Sequence, residues 1–331
     1  MEFPFPVAVC DVGGTNCRVA LKESLTAATV VIAHLHTVDF AGLGDAVAAA
    51  VEPTGLVPRS VIACGAGPVD GRQLKLTNAP WLMDGPAVAA RLGLAQGLLL
   101  NDFEAQALTL PALQSDWLLQ IGPVLPPDRG PHLICGPGTG LGVGCLVEAG
   151  GRYVPLASEA CHIGFSAEED DEERFWPHLE RVHGRITTES VLSGAGIARI
   201  HQARRSAMGA SPRPLTPAEV TTRALHDPAS EEARTIAIYW RLVARFAGDM
   251  AITFKATGGV TLAGGILPRI TALLDPEAFR AAFEAKAPVD SLARRIGTAL
   301  IVRDDTVLDG MAAIAAAPDA YALDYPNRSW R

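Results

Sequence analysis

The chain has 331 residues, 49% hydrophobic and 19% charged, with 32 glycines, 24 prolines and a formal net charge of −8. That length suits two domains and is enough to bury a core without disulfides or a structural metal. The acidic balance excludes a nucleic-acid binder and an anionic membrane surface as partner, and apolar content this high without a short repeat excludes disorder, collagen and coiled coil.

Residues 6–21 read as apolar run, glycine turn, apolar run, which predicts two strands around a tight turn. A strand is expected near 30–35, a helix near 43–51, a strand at 61–66 and a helix at 87–94. A strand at 97–100 then ends in Asn101-Asp102, and a helix follows over 105–113. Strands alternating with helices predict an α/β domain. At 132–147 the opening pattern returns as apolar strand, Gly-Thr-Gly turn and apolar strand. A repeat at this separation suggests two related α/β lobes rather than a solenoid. The acidic run 168–173 reads as a solvated loop or the first turn of a helix.

Farther on, one helix is expected over 188–208. Thr216-Pro-Ala-Glu219 supplies the N-cap, first-turn proline and N3 glutamate of another. A long amphipathic pattern covers 230–256, and 258–266 gives a strand flanked by glycine pairs. A strand near 300–302 and an Ala-rich helix at 307–317 complete the reading.

The six cysteines, Cys10, Cys17, Cys64, Cys135, Cys145 and Cys161, form no C-x-x-C and have no histidine at zinc spacing. Most lie in apolar stretches, where a free Cys packs as a small hydrophobe. Residues 1–4 show neither the basic nor the apolar region of a signal peptide, and no run reaches the roughly 18 apolar residues of a membrane span. The expectation is a reduced, cytoplasmic enzyme with no DNA-binding extension ahead of residue 7.

The P-loop, Rossmann, zincin and nucleophile-elbow signatures are all missing. What remains are glycine turns after apolar strands. Gly13-Gly14-Thr15-Asn16 and Gly138-Thr139-Gly140 can bring backbone N–H groups close to phosphate oxygens, with the Thr15 and Thr139 hydroxyls as added donors. Singly, each is an ordinary hairpin; together with Gly264-Gly265 they point to a nucleotide clamp. Asp11 could hold Mg²⁺ through water. Asn101-Asp102 reads equally well as a helix cap or as a carboxylate at the carboxyl end of a strand, where open α/β sheets place their chemistry. Glu159-x-x-His162 matches half of a di-iron site, but the other half is missing.

These segments bear a resemblance to one family. Asp11-Val-Gly-Gly-Thr-Asn16 resembles the first phosphate motif of the non-ROK bacterial glucokinases of the actin–hexokinase superfamily. Asn101-Asp-Phe-Glu-Ala105, Gly136-Pro-Gly-Thr-Gly-Leu-Gly142, Ser158-Glu-Ala-Cys-His162, Glu189-Ser-Val-Leu-Ser-Gly194 and the stretch 258–269 match further motifs in the right order. The likeness runs from about residue 7 to about residue 317, and the cysteine cluster of ROK sugar kinases is absent.

The resemblance implies an α/β, two-lobed actin/hexokinase-like (ribonuclease-H-like) fold with a cleft between a small and a larger helical lobe. Its bounds would be 1–112 plus 300–331 for the small domain and 113–299 for the large one. It further implies ATP-dependent, Mg²⁺-assisted phosphorylation of the glucose 6-hydroxyl, the first step of sugar catabolism, in a cytoplasmic enzyme and, by analogy, a homodimer. Asp102 takes the place of the catalytic base, and it joins Asn78, Asn101, Glu159, His162 and Glu189 as a sugar ligand. Asp11, Val12, Gly13, Gly14, Thr15, Asn16, Gly138, Thr139, Gly140, Gly264 and Gly265 take the places of the nucleotide site, with Asp11 holding Mg²⁺ through water. Bottom-up chemistry agrees, because sugar hydroxyls both donate and accept, and paired carboxylates with an amide and an imidazole satisfy them. The alternatives are a kinase for mannose or an amino sugar, or a sugar sensor without catalysis.

Three positions depart from the pattern: Cys10 before Asp11, Pro137 in the second turn, and Ala160-Cys161 in place of Gly-Gly in the sugar loop. Residues 321–331 extend past the resemblance and are expected to dock locally or fray.

Overall fold

The computed structural model describes residues 1–77, 79–125, 129–211 and 213–331. The first part of the chain forms β1 (Val7–Val12), β2 (Asn16–Lys22), β3 (Thr29–His36), α1 (Leu43–Val51), β4 (Ser60–Gly65), β5 (Val69–Asp70), β6 (Gln73–Lys75), β7 (Leu82–Asp84), α2 (Gly85–Leu92), β8 (Gln96–Asn101) and α3 (Asp102–Thr109). The middle forms β9 (Leu118–Ile121), β10 (His132–Pro137), β11 (Leu141–Ala149), β12 (Arg152–Ser158), α4 (Asp170–Phe175), α5 (Thr188–Leu192), α6 (Gly194–Ala207), α7 (Pro217–His226) and α8 (Glu231–Thr253). The last part forms β13 (Gly259–Leu262), α9 (Pro276–Glu284), α10 (Asp290–Ala293), β14 (Thr298–Ile301), α11 (Thr306–Ala316), α12 (Tyr325–Arg328) and β15 (Ser329–Trp330).

The chain divides into two compact units. One comprises Met1–Ser115, Leu146–Leu156 and Arg303–Arg331, the other Asp116–Cys145 and Ala157–Val302. The first unit holds a sheet in the order β15-β8-β4-β1-β2-β3, and a second sheet runs β12-β11-β10-β13-β14-β9. β1, β4 and β8 are mutually parallel, and β2, β3 and β15 run antiparallel to their neighbours. In the second sheet β10, β13 and β14 are parallel, with β9 antiparallel at the edge. The two orders correspond strand for strand, so the repeated strand–glycine turn–strand pattern marks two α/β units of one plan.

Why these segments adopt this form is visible in their burial. β4 and the body of β1 are buried on both faces, as parallel central strands must be. Cys10, Val12, Val19, Val47, Val61 and Leu99 pack in the core of the first unit together with Trp330. In the second unit α8 is buried over most of its length, and its Tyr239 hydroxyl donates to the Leu192 carbonyl at 2.6 Å. α7 starts as its sequence predicts, with Thr216 and Glu219 in a reciprocal capping box.

Several expectations change. The single helix over 188–208 is two helices, α5 and α6, because Ser193 takes extended backbone (φ −73°, ψ 173°) between them. That break lets the Gly194 N–H reach the Gly138 carbonyl at 3.0 Å. The acidic run does begin helix α4, but Glu172 within it is fully buried rather than solvated. Its carboxylate accepts from Arg241 Nε at 3.0 Å and from Arg245 Nη1 at 2.6 Å. The tail docks: β15 pairs with β8, and Trp330 is 1% exposed. The short strands β5, β6, β7 and β9, the longer β12 and the helices α9, α10 and α12 have no counterpart in the sequence reading. All six cysteines are free and buried. No helix among the described residues is long and apolar enough to cross a membrane.

Candidate functional site

In the first unit, chemistry gathers where β1 and β8 end. The β1–β2 hairpin places Arg18 directly across from Asp11, and the guanidinium donates to Asp11 Oδ2 and, at 2.6 Å, to Asp305 Oδ1. On the other flank the parallel register sets Cys64 beside Asp11, its thiol 3.4 Å from Oδ1. The Gly13–Asn16 turn closes with the Gly13 N–H on the Asn16 carbonyl at 2.8 Å. Thr37 holds the turn from below, donating its N–H to the Thr15 carbonyl and its hydroxyl to the Gly13 carbonyl. Thr15 and Asn16 stand exposed at the tip. The Val12 side chain is in the core, so this residue can offer a nucleotide only its backbone.

Asn101 and Asp102 divide the two roles that their sequence leaves open. Asn101 caps α3: its Oδ1 accepts the N–H groups of Phe103 and Glu104, and its own N–H donates to Glu104 Oε2. Asn101 Nδ2 donates to the Gly67 carbonyl at 3.0 Å, which leaves its second N–H for a ligand. Asp102 is the first helical residue and accepts the Phe103 N–H on Oδ1 at 3.0 Å. Burial foremost, opposed by that N–H and reinforced by the charge of Asp11, raises the Asp102 carboxyl above the usual aspartate range.

The second unit carries the other turn and the loop 158–162. Gly138 N–H closes the turn on the Gly140 carbonyl at 2.8 Å, and the Leu141 N–H donates to Glu189 Oε2 at 3.0 Å. A Cβ on Gly140 would sit 2.5 Å from that carboxylate oxygen, so any larger residue would push the Glu189 carboxylate off its place. Gly264 has φ +90°, and a Cβ there would collide with the Pro137 carbonyl. Gly138 and Gly265, by contrast, face open space where an anion could approach their backbone, and Thr139 is exposed.

Glu159, His162 and Glu189 converge. His162 Nε2 lies 3.5 Å from Glu159 Oε2, and His162 Nδ1 lies 4.0 Å from Glu189 Oε1. The loop backbone is fixed by the Thr188 hydroxyl, which donates to the Cys161 carbonyl at 2.6 Å and to the Ala160 carbonyl at 3.1 Å. Cys161 is buried beneath this cluster, with Sγ 3.8 Å from Glu159 Oε2. Burial first, then the charges of Glu189 and Glu159, push its thiol up to about 12.

The structure thus groups Asp11 with Asp102 in one unit and Glu159, His162 and Glu189 in the other. Asn78 lies outside the described residues. Arg18 and Asp305 were missed by sequence reasoning. Counting back from the Gly13-Gly14 turn would have put Arg18 opposite Asp11, but nothing local marks Asp305. A cavity of about 610 Å³ lined by residues 1–5, Arg59 and 315–320 contains none of the candidate residues.

Mg²⁺ fits Asp11 through water. Each oxygen already takes one protein donor, Arg18 on Oδ2 and Cys64 on Oδ1, and keeps a second lone pair for a water of a hydrated cation.

Two α/β units of one plan, with glycine turns open to an anion and a convergence of two carboxylates and an imidazole, are the arrangement that comparisons with known proteins place among sugar kinases. A crystal structure of glucokinase from an Antarctic psychrotroph superposes with a TM-score of 0.82 at 28% identity, over 94% of this chain and 98% of that one. The glucokinase family model matches residues 8–318, and the chain belongs to the glucokinase family. Glucokinases of Allorhizobium ampelinum and Sinorhizobium fredii are 39% and 40% identical, over 100% of this chain and 97% and 98% of theirs.

Proposed function

We infer that the chain transfers the γ-phosphoryl group of ATP to the 6-hydroxyl of glucose. Family membership over nearly the whole chain supports this activity. The observation that carries the site reading is the position of Glu189. One carboxylate oxygen is held by the backbone of the second glycine turn while the other faces His162 of the sugar loop. One side chain thereby ties a phosphate turn to the sugar cluster.

In this reading Glu159, His162 and Glu189 orient the sugar, with the remaining Asn101 N–H as a further donor. Asp102 accepts the proton of the attacking 6-hydroxyl, a role that its raised pKa suits, because a base with a higher pKa draws the proton more strongly. Gly13–Asn16, Gly138–Gly140 and Gly264-Gly265 cradle the nucleotide by their backbone. Phosphoryl transfer depends chiefly on positioning and neutralisation of charge. Mg²⁺, held by Asp11 through water, supplies part of that neutralisation when bound. Arg18 fixes the Asp11 carboxylate so that it presents one orientation.

The two-lobed actin/hexokinase-like form is part of the same proposal, tested by small-angle scattering with and without glucose. A cytoplasmic location, where ATP is supplied, and a homodimer belong to it as well; ultracentrifugation tests the latter. Relatives named glucokinase do not favour a mannose or amino-sugar kinase, or a sensor without catalysis. The deciding experiment is ADP release by the purified protein with Mg-ATP and a panel of hexoses. Turnover greatest with glucose is expected; none with any hexose sinks the reading.

A further inference from the structure

The sugar loop holds a second set of ligand atoms. Glu159, Cys161 and His162 each offer one atom, a carboxylate oxygen, a sulfur and an imidazole nitrogen, all within 4.8 Å of one another. Among the described residues this is the one such group. Zinc bonds of about 2.0–2.3 Å to O, N and S give a tetrahedron whose edges are about 3.3–3.6 Å. Two of the edges are already near that length: Glu159 Oε2 to His162 Nε2 is 3.5 Å and Glu159 Oε2 to Cys161 Sγ is 3.8 Å.

We propose that Glu159, Cys161 and His162 bind a zinc-class divalent cation, and that this cation and the sugar exclude one another. The chemistry of the set selects the metal. Thiolate and imidazole prefer zinc and its neighbours over Mg²⁺, which takes oxygen ligands. Glu189 faces the other ring nitrogen of His162 at 4.0 Å. A carboxylate there favours the tautomer with the proton on Nδ1, leaving the Nε2 lone pair for the metal. The backbone is held for the purpose, since the Thr188 hydroxyl fixes the carbonyls of Ala160 and Cys161, and the His162 N–H donates to the Glu159 carbonyl at 3.0 Å. His162 and Glu159 are largely exposed, so both can close the last distance and the fourth position is open to water. On binding, the Cys161 thiol releases its proton to solvent and the sulfur donates a pair to the metal.

The metal site stands on this geometry alone, whereas its exclusion of sugar rests on the assignment of Glu159 and His162 to glucose. The test uses Co²⁺ as a spectroscopic stand-in with the full-length protein. One equivalent should give a thiolate-to-cobalt charge-transfer band, which Zn²⁺ abolishes by displacement. Cys161→Ala should lose the band and bind Zn²⁺ more weakly by more than the roughly 10–100-fold typical of outer-shell partners. The same variant should keep its melting temperature and its protection by glucose. Cys161→Ser, which keeps the size but not the soft sulfur, should behave alike.

Absence of the band in the wild type, or its persistence in both variants, overturns the metal site. Saturating glucose should suppress the band. A band that depends on Cys161 but ignores glucose leaves the metal site standing and removes Glu159 and His162 from the sugar reading.

Discussion

Arg328, near the C-terminus, grips Glu104 in the first turn of α3 with both ends of its guanidinium, at 2.7 Å to Oε1 and 2.6 Å to Oε2. A third donation, from Nη2 to the Leu99 carbonyl at 2.9 Å, ties the same side chain to β8. Glu104 also accepts the Asn101 N–H, so the last residues of the chain brace the cap that precedes Asp102.

Arg328→Ala should therefore destabilise the first unit by about 1.5–3 kcal/mol, the range for hydrogen bonds to charged groups. Arg328→Lys should recover only part, because a lysine cannot reproduce the fork. Denaturant unfolding followed by intrinsic tryptophan fluorescence reads both; an unshifted transition in Arg328→Ala would mean that the tail braces nothing.

Asp102→Asn separates chemistry from stability. The amide can still accept the Phe103 N–H but cannot take a proton, so turnover should fall about 10²–10⁴-fold while glucose still protects the fold. Burial raises the Asp102 pKa in the folded state above its unfolded value. Between the two values the folded state holds the proton more tightly, so stability falls as pH rises through that window, and above it the ionised carboxylate is a net cost. The variant should be more stable than the wild type at neutral pH, with the difference fading below the ordinary aspartate value of about 4. Melting curves across pH 4–8 and single-turnover rates check both halves. Near-normal turnover would return Asp102 to a purely structural part.

For Asp11→Asn the expected damage is confined to metal-nucleotide use. The Mg²⁺ concentration needed for half-maximal rate should rise severalfold, since the amide has no charge to hold a hydrated cation. Thermal protection by glucose alone should be unchanged. An unaltered Mg²⁺ titration would take Asp11 out of the metal role.

Glu172→Gln tests the buried ion cluster of the second unit. Arg241 and Arg245 both point at this carboxylate, and Arg245 also lies 4.4 Å over the ring of Phe165. Removing this charge leaves the buried Arg245 with only the largely exposed Glu168 carboxylate, 3.8 Å from its Nε, so a loss of about 3–5 kcal/mol is expected in denaturant unfolding. A loss below 1 kcal/mol would show that water already reaches the cluster.

Gly264→Ala should weaken nucleotide binding more than sugar binding. An L residue at φ +90° is strained by about 1–3 kcal/mol, and the added carbon meets the Pro137 carbonyl of the facing turn. Fluorescent-nucleotide titration beside glucose-induced thermal shift distinguishes this from general unfolding, in which both would fail together.

What the sequence by itself determined here is what local physics controls. Continuous apolar runs beside glycine turns located the central strands of both sheets, and Thr216-Pro-Ala-Glu219 located the start of α7, because caps and short strands depend on residues a few positions apart. The repeated strand–glycine turn–strand pattern announced two units of one plan, and the ordered motifs from Asp11 to Gly265 announced the family. Only the tertiary structure decided the remainder. Asn101 is fixed over the α3 cap by the Gly67 carbonyl, 34 positions away, which takes its Nδ2 donation. Arg18 came to Asp11 with Asp305, which lies 287 positions from Arg18 in the chain. The acidic run buried Glu172 because two arginines of α8 neutralise it, and Trp330 entered the core because Gly97 and Gly85 leave room for its ring. Each of these turns on long-range partners whose desolvation and charge sequence proximity does not encode.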